Sequence, residues 1–225
     1  MKTMTKRQIL PLLFVLLSSA VRAQDTDFGI WYDLKADYKF GKGFRADFEG
    51  CLRTVNDASE IDSWYLEPGL RYKFNKYFSA GVYYRFIKKI EDDGSYYARH
   101  RWALQAKGDL PVGRFTLSLR YRFQEQTKTY IEDPDDEKTI WFNRTRFEID
   151  YDVKGLPLKP YANVEVWNKL FADNGIFIDE TRYTFGAEYK VFQIHAIGLE
   201  YIYNVSNVSK PKYRNIFSVI YSVSF

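Results

Sequence analysis

From residue 28 onward, apolar and polar positions alternate with period two over segments longer than the five or six residues usual in soluble strands. In the first segment Phe28, Ile30, Tyr32, Leu34, Ala36, Tyr38 and Phe40 share one face, while Asp33, Lys35, Asp37 and Lys39 share the other. The second sets Phe44, Ala46, Phe48, Gly50 and Leu52 against Arg45, Asp47, Glu49 and Arg53. Segments led by Trp64 and by Phe78 repeat the pattern, and it continues near 96–110, 114–126, 140–151, 160–171, 180–190, 193–204 and 213–225. These eleven candidate strands predict one antiparallel sheet with a single apolar face.

The connections alternate in length. Those at Gly41 to Gly43, Asn75-Lys76, Pro111 to Gly113 and around Val191 are tight; those near 56–62, 90–95, 127–139, 172–179 and 205–212 are longer and often acidic. Short turns at one end and long loops at the other are the layout of an outer-membrane barrel, with the short turns in the periplasm. In hydrocarbon every backbone N–H and C=O must find a partner inside the protein, so a sheet spans a bilayer only by closing on itself. A crossing strand needs about 9–11 residues, and these segments suffice. Bacterial single-chain barrels have even strand numbers, so an odd count predicts either one misread segment or an unusual closure, and the expected range is 10 to 12 strands. Tyr residues near strand ends (Tyr38, Tyr72, Tyr77, Tyr96, Tyr97, Tyr130, Tyr151, Tyr161, Tyr189, Tyr213) predict two aromatic girdles at headgroup level. The rival with the same alternation is a soluble periplasmic barrel of lipocalin type, its greasy face turned inward. Such barrels close with about eight strands and leave little room for this much Phe, Tyr and Trp.

The amino end reads as a signal peptide over residues 1–23. Lys2, Lys6 and Arg7 precede the apolar run Ile9 to Leu17, and Val21-Arg22-Ala23 offers a small-x-Ala cleavage site. The run is shorter than the roughly 20 residues of a membrane-spanning helix. Cleavage takes four of the 33 basic residues and none of the 29 acidic ones, so the mature chain is formally neutral and its charge gives no reason to expect nucleic acid. The single cysteine, Cys51, allows no internal disulfide, and no linker-like stretch divides residues 24–225, which are expected to form one domain.

Candidate chemistry is sparse. His100 alternates with Ala98, Trp102 and Leu104 on the apolar face and His195 with Ile197, Leu199 and Tyr201, whereas Ser118, Ser218 and Ser222 lie on polar faces. Neither histidine is therefore placed to activate a serine, and no catalytic residue, cofactor or metal site is expected. One cysteine and two distant histidines do not make a zinc site, and the acidic run from Glu132 to Glu137 lacks the calcium-loop spacing. The polar face is more informative. Arg85, Arg99, Arg101, Arg120, Arg122, Arg144 and Arg146 come from four consecutive strands and should line one wall of the lumen. Carboxylates expected on flanking polar faces (Asp47, Glu49, Glu67, Glu148, Asp150, Glu165, Glu188, Glu200) predict bidentate ion pairs that plug the barrel. The functional alternative is a constriction that attracts phosphate or carboxylate solutes.

Asp27-Phe28-Gly29-Ile30-Trp31, the tract from Leu70 to Tyr77, Gly81 to Phe86, Arg99-His100-Arg101, Gly113 to Leu117, Asn143 to Arg146, Pro160-Tyr161 and Tyr183 to Tyr189 together resemble the domain-of-unknown-function family 2490. The resemblance spans nearly the whole mature chain. It implies an uncharacterised outer-membrane β-barrel and brings no catalytic residues. The sequence thus predicts a monomeric, non-enzymatic barrel in the outer membrane, an envelope structural protein or a narrow solute channel. Its expected partners are membrane lipids, lipopolysaccharide and the barrel-assembly machinery, the last through the alternating strand that ends at Phe225. A lipid-modifying enzyme is the alternative from another class.

Overall fold

The computed structural model describes residues 26–91, 93–131, 137–172, 175–207 and 211–225. The expected signal peptide and most of the acidic run, residues 132–136, lie outside them.

Eleven strands follow one another around a closed barrel: β1 (Thr26–Phe40), β2 (Phe44–Val55), β3 (Glu60–Lys73), β4 (Phe78–Ile90), β5 (Tyr96–Val112), β6 (Phe115–Lys128), β7 (Thr139–Tyr151), β8 (Leu158–Ala172), β9 (Gly175–Lys190), β10 (His195–Ser206) and β11 (Lys212–Ser224). Their cores are rich in the aromatic and β-branched residues that suit a pleated surface. The short turns obey local chemistry. Asn75 accepts the amide protons of Tyr77 and Phe78 at 2.8 and 2.9 Å, and Gly113, at φ 63°, supplies the left-handed residue between β5 and β6. The connection expected over 172–179 is mostly strand, because β9 begins at Gly175. Phe177 and Ile178, paired with Lys169 and Asn168 across an irregularity in register, carry the ladder beyond the point where the acidic residues suggested a loop.

The odd strand number is real, and the closure accommodates it. Each consecutive pair is antiparallel, whereas β1 and β11 run parallel, from Thr26 beside Tyr213 to Asp37 beside Ser224. An odd number of alternating strands can meet only in this way. β1 therefore starts at the long-loop rim and β11 finishes at the short-turn rim. Side chains reinforce the seam: Ser218 donates to Asp33 at 2.8 Å and Ser224 to Asp37 at 2.6 Å. The Phe225 amide also donates to the Asp37 carbonyl at 2.8 Å.

The apolar face points outward. Leu104, Leu199 and Phe185 are 58, 61 and 61 % exposed, which water would penalise and hydrocarbon would not. Rings gather at two levels. At the short-turn rim Tyr38, Phe40, Phe44, Tyr72, Phe74 and Phe78 form an unbroken arc with centroids 4.7–6.5 Å apart. Nearer the long loops Trp64, Phe86, His100, Tyr84 and Trp102 form another. Three of the expected girdle residues do otherwise. Tyr161 points into the lumen and donates to Glu200 at 2.5 Å, because β8 turns its odd positions inward. Tyr97 also has inward parity and stacks on Tyr130 at 3.9 Å beside the long-loop mouth. Leu199 lies between the two levels, so Leu199→Arg should cost about 2–4 kcal/mol in bilayer-refolded protein, while the same change at Phe225, on the rim, should cost under about 1 kcal/mol. Equal costs in urea titrations would contradict the depth assigned to these residues.

Candidate functional site

Because the period is two, the inward positions of every strand fall in register around the axis, and they are largely charged. Two carboxylates act as nodes. Glu67 on β3, 3 % exposed, accepts from Arg85 Nε at 2.5 Å and from Arg122 Nη1 at 3.1 Å. Glu165 on β8, fully buried, accepts from Arg120 at 2.6 Å, Arg144 at 2.9 Å and Arg146 at 3.2 Å. Gln105 stands beneath Arg122 and takes two more of its donors, at 2.9 and 3.1 Å. The first node links β3, β4, β5 and β6; the second links β6, β7 and β8. Both orient their guanidinium groups with charge-assisted bonds, and one bond in each, from Arg122 to Glu67 and from Arg120 to Glu165, crosses intervening strands.

All seven arginines singled out from the sequence have inward parity on β4 to β7, and the structure sorts them. Five converge on Glu67 and Glu165. Arg99 sits nearer the long loops and pairs with Glu91. Arg101 bonds only to Gln126 through its side chain, and no carboxylate among the described residues lies within salt-bridge distance of it. Of the carboxylates expected to meet them, Glu49 reaches Arg85 at 3.7 Å and Glu148 reaches Arg146 at 3.9 Å, both loosely. Asp47 serves Arg71 at 2.8 Å, Asp150 serves Lys159 at 3.0 Å, and Glu200 accepts from Tyr161.

Sequence reasoning passed over a second layer. Trp31, Tyr65 and Trp167 occupy inward positions and are interleaved with arginines. Arg85 and Arg53 lie 3.6 and 4.9 Å from the Tyr65 ring, and Arg53 lies 3.9 Å from the Trp31 ring. Arg182 lies 5.1 Å from Trp31 and 4.9 Å from Trp167, and Arg144 lies 3.7 Å from Trp167. The row passes from β4 through β3, β2, β1, β9 and β8 to β7, most of the way around the lumen. Such contacts gain strength where water is scarce. An aromatic at inward parity in a strand whose other inward positions are polar was the available signal, and Trp31 and Trp167 both carry it. Three donors in this layer, Arg53 Nε, Arg144 Nε and Trp167 Nε1, are buried without an acceptor among the described residues.

Around this layer the lumen holds several cavities among the described residues, of which three bear on the argument. One of about 310 Å³ lies toward the short turns, between Asp37, Asp47, Arg71 and Glu188. A central one of about 100 Å³ lies among Trp31, Tyr65, Trp167 and the node arginines. A third of about 190 Å³ lies toward the long loops. A small apolar cluster of Trp31, Cys51, Tyr65, Ile87, Ile202 and Ile216 closes one side of the upper lumen.

The histidines sit where the alternation put them. His100 Nδ1 lies 2.6 Å from Tyr84 Oη with its ring against Phe86, and His195 Nδ1 lies 2.7 Å from Tyr221 Oη. Ser118 points inward and donates to Asp109 at 2.6 Å, away from His100. No group of metal-binding side chains occurs among the described residues.

A family profile described as a protein of unknown function, DUF2490, matches residues 28–215. The chain belongs to this family. The match covers β2 to β10 entirely, β1 from Phe28 and the start of β11, so the nodes and the Arg–aromatic layer all lie within the family's extent. No curated protein matches the chain. Among solved structures it is similar to one titled a bacterial polysaccharide outer membrane secretin, with TM-score 0.52, 10% identity and coverage of 79% of this chain and 74% of that chain. It is also similar to the β-domain of the Bordetella autotransporter Brka, with TM-score 0.45, 10% identity and coverage of 74% and 78%. The first likeness supports the barrel fold, and the second is too loose to support more.

Proposed function

We propose that this member of the DUF2490 family is an integral outer-membrane β-barrel, monomeric and non-enzymatic, that stands in the envelope with its lumen sealed midway. The observation that carries the reading is the pairing of an apolar, ring-belted exterior with an interior held by Glu67, Glu165 and the Arg–aromatic layer. A soluble carrier of apolar ligands would need these surfaces exchanged. The short turns then face the periplasm and the longer loops the exterior. Embedding in lipid and lipopolysaccharide requires only the apolar belt, and delivery by the barrel-assembly machinery fits a last strand with outward Phe217, Val219, Tyr221 and Phe225.

A lipid-modifying enzyme would need a nucleophile and a base facing each other near the outer leaflet. Among the described residues the His100 side chain engages Tyr84 and Phe86 there, which argues for the non-enzymatic reading. The test is membrane fractionation with electrophoresis of boiled and unboiled samples, followed by planar-bilayer recording. The expected result is outer-membrane recovery, heat-shifted mobility and no resolvable conductance steps. A soluble periplasmic product would overturn the location, and steady conductance of the unaltered protein would overturn the seal.

A further inference from the structure

The upper cavity carries more positive charge than its carboxylates answer. Four of its basic side chains have their own partners: Lys89 with Asp62 at 2.6 Å, Arg214 with Asp27 at 2.9 Å, Arg99 with Glu91 and Arg182 with Glu180. Arg85 shares Glu67 with Arg122. Arg53 and Arg101 remain. Both line this cavity, and neither has a carboxylate within salt-bridge distance among the described residues. Arg53 is held by the Trp31 and Tyr65 rings, and Arg101 is held by Gln126 with its guanidinium carbon 5.5 Å from the Trp167 ring. Stacking fixes a guanidinium in place without using its in-plane N–H donors or cancelling its charge. Enclosed charges are ordinarily paired, since leaving water unpaired is costly. The orphaned Arg53 Nε and Trp167 Nε1 point to the same shortage of acceptors.

We propose that this cavity is a binding site for a phosphate group, held between Arg53 and Arg101. Two uncompensated guanidinium groups match the charge of a phosphate monoester near neutral pH, about −1.5 to −2, and their planar forks suit its oxygens. The volume of about 190 Å³ is ample for a phosphate group. Trp31 and Trp167 form part of the wall, and Arg99, Lys89 and Arg214 lead in from the long-loop end, where they would draw an anion inward. The sequence pointed to seven arginines on β4 to β7 as a single basic wall. The site assigned here takes one of them, Arg101, and joins it to Arg53 on β2, because Glu67, Glu165 and Glu91 occupy the other six.

The site requires only the folded barrel and is independent of whether the lumen conducts. Its test is calorimetric titration of the full-length protein, in a detergent and buffer free of phosphate, with inorganic phosphate at constant ionic strength. Phosphorylated lipopolysaccharide in micelles is titrated in parallel. Saturable binding of inorganic phosphate identifies a free-anion site, and binding of the lipid alone identifies a headgroup site; either supports the proposal provided that Arg53→Gln and Arg101→Gln each weaken it by about tenfold or more. Arg114→Gln, on a short turn at the other rim, should leave it unchanged. Heat-shifted mobility verifies folding of each variant. If Arg101→Gln does not fold, Arg101→Lys, which keeps the charge but loses the fork, should still weaken binding measurably. Absence of binding to both probes, or binding indifferent to both arginines, overturns the proposal.

Discussion

Glu165→Gln is expected to lower the unfolding free energy of the barrel by about 3–5 kcal/mol. The carboxylate is fully buried and, among the described residues, is the sole anion within 3.5 Å of Arg120, Arg144 and Arg146. Neutralising it leaves three guanidinium groups crowded together, with Glu148 at 3.9 Å from Arg146 as the nearest remaining compensation. The cost arises from the stranded cations rather than from the intrinsic worth of the bonds, since buried ion pairs contribute little relative to an apolar replacement. Arg144→Met in the Glu165→Gln background should therefore recover part of the loss. Urea titration in phospholipid vesicles, followed by tryptophan fluorescence, measures both. Glu188→Gln, facing the open lower cavity, is the comparison and should change stability by less than about 1 kcal/mol. If the two glutamine variants behave alike, Glu165 is not a node.

Removing the two tryptophans should open the lumen. Trp31 and Trp167 border both the central cavity and the one above it, and the central space of about 100 Å³ is smaller than the cavities on either side. Trp31→Ala with Trp167→Ala deletes both rings and releases Arg182, which now lies against each of them. Planar-bilayer recordings of this variant should show discrete steps where the parent shows none, and the surrounding arginines should make them anion-selective. Truncating a buried Trp typically costs about 3–5 kcal/mol, so recordings count only from preparations that retain heat-shifted mobility. A folded double variant that stays silent would locate the seal at Glu67 and Glu165 instead.

The outward and inward faces were legible because alternation is a local property. Phe217, Val219 and Tyr221 read as one face from the sequence, and that face is the exposed one. The seven arginines likewise have the inward parity that their places in β4 to β7 dictate. Their partners were only partly legible, since Arg120 reaches Glu165 across 45 residues of sequence and the choice depends on side-chain reach over an intervening strand. Asp47 and Asp150 have the expected parity yet sit at levels where Arg71 and Lys159 are closer. Tyr161 suited a girdle by chemistry, and only the register of β8 against β9 and the nearby Glu200 turn it inward. Arg53 reads from the sequence only as one polar-face residue of its strand, and Arg182 carries no distinguishing signal; the Trp31 and Trp167 rings that give them a role come from other strands.

The parallel seam has a consequence for how the chain can be rearranged. Where first and last strands meet antiparallel, their ends lie at one rim and a short peptide can join them. Here β1 starts opposite the rim at which β11 stops, and twelve paired positions separate the two levels, roughly 40 Å of extended chain. A circular permutant would need a linker running the full height of the wall, either through lipid or down the occupied interior. Joining the two strand ends directly, as even-numbered barrels allow, is therefore barred here, because the start of β1 and the end of β11 lie on opposite sides of whatever layer the barrel spans.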